Sequence, residues 1–130
     1  MIAVDTNVLV RLLIDDPSAP EQIDMAKSLL KKARQVFVPQ IVQVEVVWVL
    51  ESAYGYDKAA VITVLKHLQR SVVYVLQQPS QFDEALVNFE NNPADFSDYL
   101  IFAACLESQH QLFTFDKKLA RLDGVNLLKA

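Results

Sequence analysis

The sequence predicts an α/β domain in which short parallel strands are covered by helices on both faces. Strand-like apolar runs alternate along the chain with helix-like segments, which is typical of βαβ units and a parallel sheet. The first run, Ile2-Ala3-Val4, is continuously apolar, as expected for a strand that is buried on both faces. The chain has 130 residues, of which 52% are hydrophobic, so we expect a single domain over residues 1–130 with a sizeable core.

Two helices are predicted after the first strand. Apolar residues at helical spacing begin at Val8, and Asp15-Asp16-Pro17-Ser18 ends that helix. A second amphipathic stripe over residues 19–33 carries cations in its later turns, where they complement the helix dipole. Val36-Phe37-Val38 is predicted to be the next strand.

The segment from Gln40 to Tyr54 has features of both a strand and a helix. Valines alternate with polar residues such as Gln43 and Glu45, and this period together with the β-branched composition favours a strand. The segment is long for a strand in a small domain, so we predict a helix that ends at Gly55.

The alternation continues in the second half of the chain. Asp57 is predicted to cap a helix, and Ser80 with Asp83 is predicted to form the capping box of another. The remaining predicted elements are a strand at residues 72–75, an apolar helix at 96–108, a strand at 112–115, a short helix around Leu119 and a strand at 125–127. The sheet is therefore expected to contain four or five short strands.

Composition excludes several kinds of site. Two glycines exclude a glycine-rich phosphate-binding loop, one cysteine excludes a disulfide or a cysteine-based zinc site, and His67 and His110 are too far apart for an H-x-x-x-H zinc motif. The net charge of −4 gives no overall attraction to nucleic acid, so a polyanion would need a basic patch or a bound metal. Neither a signal peptide nor an 18-residue apolar run is visible, which predicts a cytoplasmic protein with no membrane partner.

Three aspartates are predicted to lie at the carboxyl edge of the sheet, where open α/β sheets bind their ligands. Asp5 and Asp116 directly follow predicted strands, and Asp98 lies in the first turn of the apolar helix that precedes the Asp116 strand. The same positions also suit helix capping, since Asp5, Asp95 and Asp116 can be N-caps. Asp98 would then be the capping-box partner of Asp95. The two roles are compatible, because a cap lies where a site at this edge would be.

Glu45 has a different position on its predicted helix. Gln40, Gln43 and Glu51 form one polar stripe, and Glu45 lies about 160–200° away from it. Glu45 is then expected to point into an apolar side, where a lone charge must be paired, protonated or bound to metal. If the segment is a strand instead, Glu45 shares a face with Gln43 and is simply solvated.

Convergence of these acids would require a cation, because carboxylates close together raise one another's pKa. The four are Asp5, Glu45, Asp98 and Asp116. Oxygen ligands without His or Cys select hard ions such as Mg²⁺ or Mn²⁺. Such an ion supports phosphodiester hydrolysis and allows an acidic protein to act on a polyanion.

Four blocks of sequence carry these acids. They are Met1-Ile2-Ala3-Val4-Asp5-Thr6-Asn7, then Glu45 in an apolar segment, then Asp95-Phe96-Ser97-Asp98-Tyr99-Leu100-Ile101-Phe102-Ala103-Ala104, then Thr114-Phe115-Asp116. Together they resemble the PIN-domain nucleases and, more narrowly, the VapC-type toxins of bacterial toxin–antitoxin pairs. The resemblance covers the whole chain in length and in order of elements, and no acid of the motif is missing.

The resemblance implies a three-layer α/β/α sandwich and an endoribonuclease that depends on Mg²⁺ or Mn²⁺. It implies RNA as the substrate, inhibition by a cognate antitoxin protein, and a homodimer. Position by position, the acidic quartet would be Asp5, Glu45, Asp98 and Asp116, acting in catalysis and as metal ligands. The supporting residues would be Thr6 and Thr114, whose hydroxyls orient the acids, together with Asn7 and Asp95.

Other functions fit parts of the sequence. A receiver-type phosphoacceptor also binds Mg²⁺, but it needs an acceptor aspartate after a central strand, where this chain has Pro39 and Leu76. Two alternatives stay open: a non-catalytic interaction module whose acids are only caps, and a PIN nuclease of RNA processing. Trp48 and the phenylalanines occur at core spacing, which argues against base stacking, and the cations at 117, 118 and 121 are expected on a solvated helix face.

Overall fold

The computed structural model describes residues 1–129. This part of the chain contains six α-helices, five short strands and one 3₁₀ helix. In chain order the elements are β1 (Ile2–Ala3), α1 (Thr6–Leu13), α2 (Pro20–Ala33), β2 (Val36–Val38), α3 (Gln40–Ser52), α4 (Lys58–Arg70), β3 (Tyr74–Leu76), α5 (Pro79–Asn91), α6 (Phe96–Glu107), β4 (Leu112–Thr114), the 3₁₀ helix (Leu119–Arg121) and β5 (Val125–Leu127). Within residues 1–129, none of the helices is both long and apolar enough to cross a membrane.

The chain divides into two compact units, the first of which is Met1–Gln77. Its three strands form a parallel sheet in the order β1-β2-β3, with Ile2 opposite Val36 and Val36 opposite Tyr74. Each crossover between neighbouring strands contains two helices. Parallel pairing requires a long crossover connection, which these helices supply. Val36 and Val38 of the central strand are completely buried, so this sheet forms the core of the unit.

The second unit begins at Gln78. Its strands β4 and β5 pair in parallel, with Phe113 opposite Asn126. The helices α5 and α6 share an aromatic core in which the Phe96 ring meets those of Phe82 and Phe89 edge to face, at centroid distances of 5.5 and 5.9 Å. This packing fixes the first turn of α6, which carries Asp98.

The predicted α/β fold class is confirmed, with five short strands that all pair in parallel. The strands pair as groups of three and two rather than in one hydrogen-bonded series. The prediction of a single domain over residues 1–130 extends one residue beyond the described part, since Ala130 lies outside it.

The helix predicted over the ambiguous segment is confirmed as α3, and it ends at Ser52 rather than at Tyr54. Its buried residues recur at helical spacing. They are Val42, Gln43, Val46, Val47 and Leu50. The alternation of valines therefore does not mark a strand. It arises because two adjacent residues in successive turns of α3 are buried.

Helix starts are confirmed in part. Asp57 caps α4, since its carboxylate accepts a hydrogen bond from the backbone N–H of Ala60 at 2.9 Å. The capping box predicted at Ser80 is wrong, because α5 already begins at Pro79 and its N-cap residue is Gln78. Proline suits the first position of a helix, which moves Ser80 inside the first turn.

Candidate functional site

Asp5 directly follows β1 and is the N-cap of α1. Its Oδ1 accepts a hydrogen bond from the backbone N–H of Val8 at 3.1 Å, and its side chain is exposed. The predicted capping role is therefore confirmed. The bond uses one carboxylate oxygen, so the cap leaves acceptor capacity for a ligand.

Thr6 connects the start of α1 to α3. Its hydroxyl donates a hydrogen bond to Glu45 Oε1 at 3.1 Å, and the residue itself is buried. Because Thr6 is the residue after Asp5, this bond holds the Glu45 carboxylate beside the N-terminus of α1. Asn7, the next residue, is exposed and lines a groove together with Asp5.

The expectation that Glu45 points into an apolar side is wrong, because its side chain is exposed. Gln43 was predicted to be solvated but is completely buried. The face of α3 opposite Gln43 is therefore the exposed one. That outward face also carries Ile41 and Trp48, both strongly exposed. The Thr6 bond, not burial, is the observation that distinguishes Glu45 from a solvated carboxylate.

In the second unit, Asp95 and Asp98 form a capping box at the start of α6. The backbone N–H of Asp95 donates to Asp98 Oδ2 at 3.2 Å. Burial raises the pKa of Asp98, and the nearby charges of Asp95 and Asp116 raise it further, against the lowering effect of the Asp95 hydrogen bond. Asp98 thus lies close enough to Asp95 and Asp116 for their charges to raise its pKa.

Thr114 and Asp116 shape the turn after β4. The backbone N–H of Asp116 donates to Thr114 Oγ1 at 3.0 Å, and Asp116 Oδ1 accepts from the backbone N–H of Lys118 at 2.8 Å. The Thr114 hydroxyl therefore orients the backbone of Asp116. The Asp116 carboxylate in turn fixes the loop that leads into the 3₁₀ helix.

Comparison with protein families gives a match over nearly the whole chain. Residues 2–125 match the family model described as PIN domain. The chain belongs to the PIN-domain family. The four acids of the predicted quartet lie within the matched region, and the resemblance to this family is confirmed.

Other comparisons add context to the PIN domain. Comparison with curated protein sequences gives no match. Among solved structures, the chain is similar to VapC20 of Mycobacterium tuberculosis, described as a sarcin-ricin loop cleaving toxin, at 19% sequence identity and a TM-score of 0.43. The similarity covers 99% of this chain and 100% of VapC20.

The acids of this PIN domain fall into two sets. Asp5 and Glu45 belong to the first unit, and Asp95, Asp98 and Asp116 belong to the second. Over residues 1–129 the structure shows no group of three or more His, Cys, Asp or Glu side chains placed to hold a metal ion. The donors in both sets are carboxylate oxygens, which suit a hard cation such as Mg²⁺ or Mn²⁺.

A polar network that the sequence does not predict lies beside the first set of acids. Arg11 Nε donates to Gln22 Oε1 at 2.8 Å, and its Nη1 donates to the Tyr54 hydroxyl at 3.1 Å. The Tyr54 hydroxyl donates to Asp16 Oδ2 at 2.8 Å. Arg11 lines the same groove as Asp5 and Asn7 of the PIN domain. The only sequence signal was the Asp16-Pro17-Ser18 turn, which gives no indication of the distant partner Tyr54.

Proposed function

We propose that this PIN domain is a Mg²⁺- or Mn²⁺-dependent endoribonuclease and the toxin of a toxin–antitoxin pair. The proposed catalytic residues and metal ligands are Asp5, Glu45, Asp98 and Asp116, with Thr6, Asn7, Asp95 and Thr114 in supporting positions. The observation that carries the proposal is the position of Asp98 within a domain of this family. Burial and the charges of Asp95 and Asp116 disfavour the ionised form of Asp98, and a bound cation would stabilise that negative charge.

The residues of the chain have defined tasks in this proposal. Thr6 holds Glu45 beside Asp5, and Thr114 orients the turn that carries Asp116. When bound, the cation neutralises the carboxylates and activates water for hydrolysis of a phosphodiester. The water oxygen forms a bond to phosphorus and loses a proton, while one P–O ester bond breaks and its leaving ribose oxygen gains a proton, so the RNA chain is cut.

Cleavage of purified RNA tests the catalytic part of the proposal. We expect the protein with Mn²⁺ to cut total RNA, and we expect EDTA to abolish cutting. Asp98→Asn should lower the cleavage rate at least about 100-fold, because a catalytic acid–base or metal ligand contributes on that order or more. Asp57→Asn is the matched control, since Asp57 is also a helix cap but lies outside the proposed site. Equal cutting by all samples would indicate a contaminating nuclease and contradict the proposal.

The partners of the toxin are part of the same proposal. We expect a cytoplasmic homodimer that binds an antitoxin protein encoded by a neighbouring small open reading frame. Light scattering after size exclusion measures the dimer, and co-purification measures the antitoxin complex. A nuclease of RNA processing would cleave RNA in the same way but would not arrest growth when expressed alone.

One set of observations favours a non-catalytic interaction module instead. Asp5 and the Asp95–Asp98 capping box make the hydrogen bonds expected of caps. The prediction that Asp116 is an N-cap is wrong, because Lys118 is the N-cap of the 3₁₀ helix and Asp116 instead closes the turn before it. If these local bonds are the only task of the acids, metal ions leave the protein unchanged and RNA stays intact. Cleavage by wild type together with its loss in Asp98→Asn distinguishes the nuclease from this module.

A further inference from the structure

The end of β4 exposes an aromatic side chain beside a proposed metal ligand. Phe115, which lies between Thr114 and Asp116, is 71% exposed, and Phe113 in β4 is 53% exposed. Leu128, whose backbone N–H donates to the Thr114 carbonyl at 2.7 Å, is also exposed. The expectation that the phenylalanines lie in the core is therefore wrong at these two positions. Single exposed apolar residues are ordinary, but several together mark an interaction surface.

Cations follow this apolar surface directly in the chain. Lys117, Lys118 and Arg121 are all exposed. The hydrogen bond from the Lys118 backbone to Asp116 fixes the turn that presents the two lysines. In a chain of net charge −4, this segment therefore places positive charges next to an exposed ring.

An exposed ring that is followed in the chain by exposed cations suits single-stranded nucleic acid. Every base has a π face that stacks on an aromatic side chain, while lysines contact the backbone phosphates. A protein partner would gain from the apolar residues but has no particular need for the lysines. Phe115 directly precedes the proposed metal ligand Asp116, which places the ring within one residue of the proposed site in the sequence.

We propose that Phe115 stacks against an unpaired base next to the scissile phosphate, and that Lys117 and Lys118 contact the flanking phosphates. This inference rests on the ribonuclease function proposed above and adds a positioning residue to it. Stacking tolerates any base, so it selects for unpaired RNA rather than for a sequence. Bases within a duplex are already stacked and cannot use this ring.

Binding of a fluorescein-labelled single-stranded RNA octamer tests the proposal. Anisotropy is measured in EDTA with Asp98→Asn as the parent protein, so that binding is separated from cleavage. We expect Phe115→Ala to raise the Kd by roughly 5- to 150-fold, which corresponds to the loss of one stacked base. Phe115→Trp should restore binding, whereas Phe115→Leu, which keeps apolar area but has no ring, should not.

Two controls define the result. Trp48→Ala removes another strongly exposed aromatic residue, on α3, and should leave the Kd unchanged. Duplex RNA of the same sequence should bind equally to the parent and to Phe115→Ala.

The salt dependence of binding tests the cations. Lys117→Ala and Lys118→Ala should each reduce the slope of log Kobs against log salt by about 1, whereas Lys31→Ala in α2 should not.

The possible failures can be told apart. A Kd within twofold of the parent for Phe115→Ala overturns the stacking proposal, even if wild type cuts RNA with Mn²⁺. If that variant instead changes the sedimentation of the protein, the surface is an interface between copies of the chain, and the proposal is again overturned. Phe115-dependent binding without metal-dependent cutting supports stacking and contradicts the proposed ribonuclease. Because Phe115 is exposed, an unchanged melting temperature should confirm that the variant folds.

Discussion

At the scale of single residues, Asp98 has two opposing effects on the stability of the fold. It accepts a hydrogen bond that helps to begin α6, and it carries a charge that burial and two neighbouring acids disfavour. A group whose pKa is raised in the folded state stabilises the protein below its unfolded pKa. That contribution is lost as the pH rises through the folded pKa. At pH 7, well above the usual pKa of an aspartate, Asp98 therefore lowers the stability of the metal-free protein.

This opposition predicts that Asp98→Asn raises the melting temperature of the metal-free protein at pH 7 by a few degrees. Asparagine removes the charge, and its carbonyl oxygen can still accept the hydrogen bond from Asp95. Thermal unfolding in EDTA, followed by circular dichroism, measures the shift. Asp57→Asn should change the melting temperature little, because Asn and Asp cap helices about equally well. A lower melting temperature for Asp98→Asn would show that its charge stabilises the fold.

At the scale of elements, α3 shows what the sequence could and could not predict. Its length predicted a helix correctly, but the polar stripe predicted the wrong outward face. Gln43 is buried because its Nε2 donates to the carbonyls of Val38 at 3.1 Å and Gln77 at 2.9 Å. A glutamine that satisfies backbone carbonyls inside the unit cannot be distinguished in sequence from a solvated one. Glu45 was consequently assigned to the apolar side, and its partner Thr6, 39 residues away, was not predicted.

The junction between α1 and α2 depends on another contact that the sequence does not reveal. Asp16 accepts hydrogen bonds from the Ser18 hydroxyl at 2.6 Å and the Ser18 backbone at 2.9 Å. These bonds, the Tyr54 hydroxyl and the charge of Arg11 lower the pKa of Asp16 to about 2 from its usual 3.8. The carboxylate thus holds the end of α1 and the segment after α3 to the same loop.

Asp16→Asn should therefore destabilise the protein in a pH-dependent way. An aspartate with a lowered folded pKa contributes stability above its unfolded pKa of 3.8, and that contribution is lost as the pH falls through about 2. The free energies of unfolding of wild type and variant should differ most above pH 4 and converge towards pH 2. Urea denaturation at a series of pH values measures this difference. Asp15→Asn, at the exposed neighbouring residue, should show no such convergence, and a pH-independent difference for Asp16→Asn would contradict the assignment.

At the scale of the whole molecule, strand–helix alternation was sufficient to predict the fold class and the parallel pairing. The strands are only two or three residues long, so the sequence could not show how they pair into groups. Hydrophobicity could not separate Phe82, which is buried between helices, from Phe115, which is exposed beside Asp116. The positions of the acids were predicted from strand ends and from the family resemblance. The proposed ligands come from both units, so only a measurement on the whole chain can test whether they act together.

A Mn²⁺ titration tests whether the four acids serve one centre. An ion that binds only the folded state stabilises it by RT ln(1 + [L]/Kd), about 2.7 kcal/mol at a hundredfold excess over Kd. The melting temperature of wild type should rise accordingly. Asp5→Asn in the first unit and Asp116→Asn in the second should each abolish the rise, whereas Asp57→Asn should retain it. If only the variants of one unit lose the response, the ion is held by that unit alone, and the proposed quartet is wrong. If wild type shows no rise with Mn²⁺ or Mg²⁺, the four carboxylates have only structural roles and the metal-dependent mechanism is excluded.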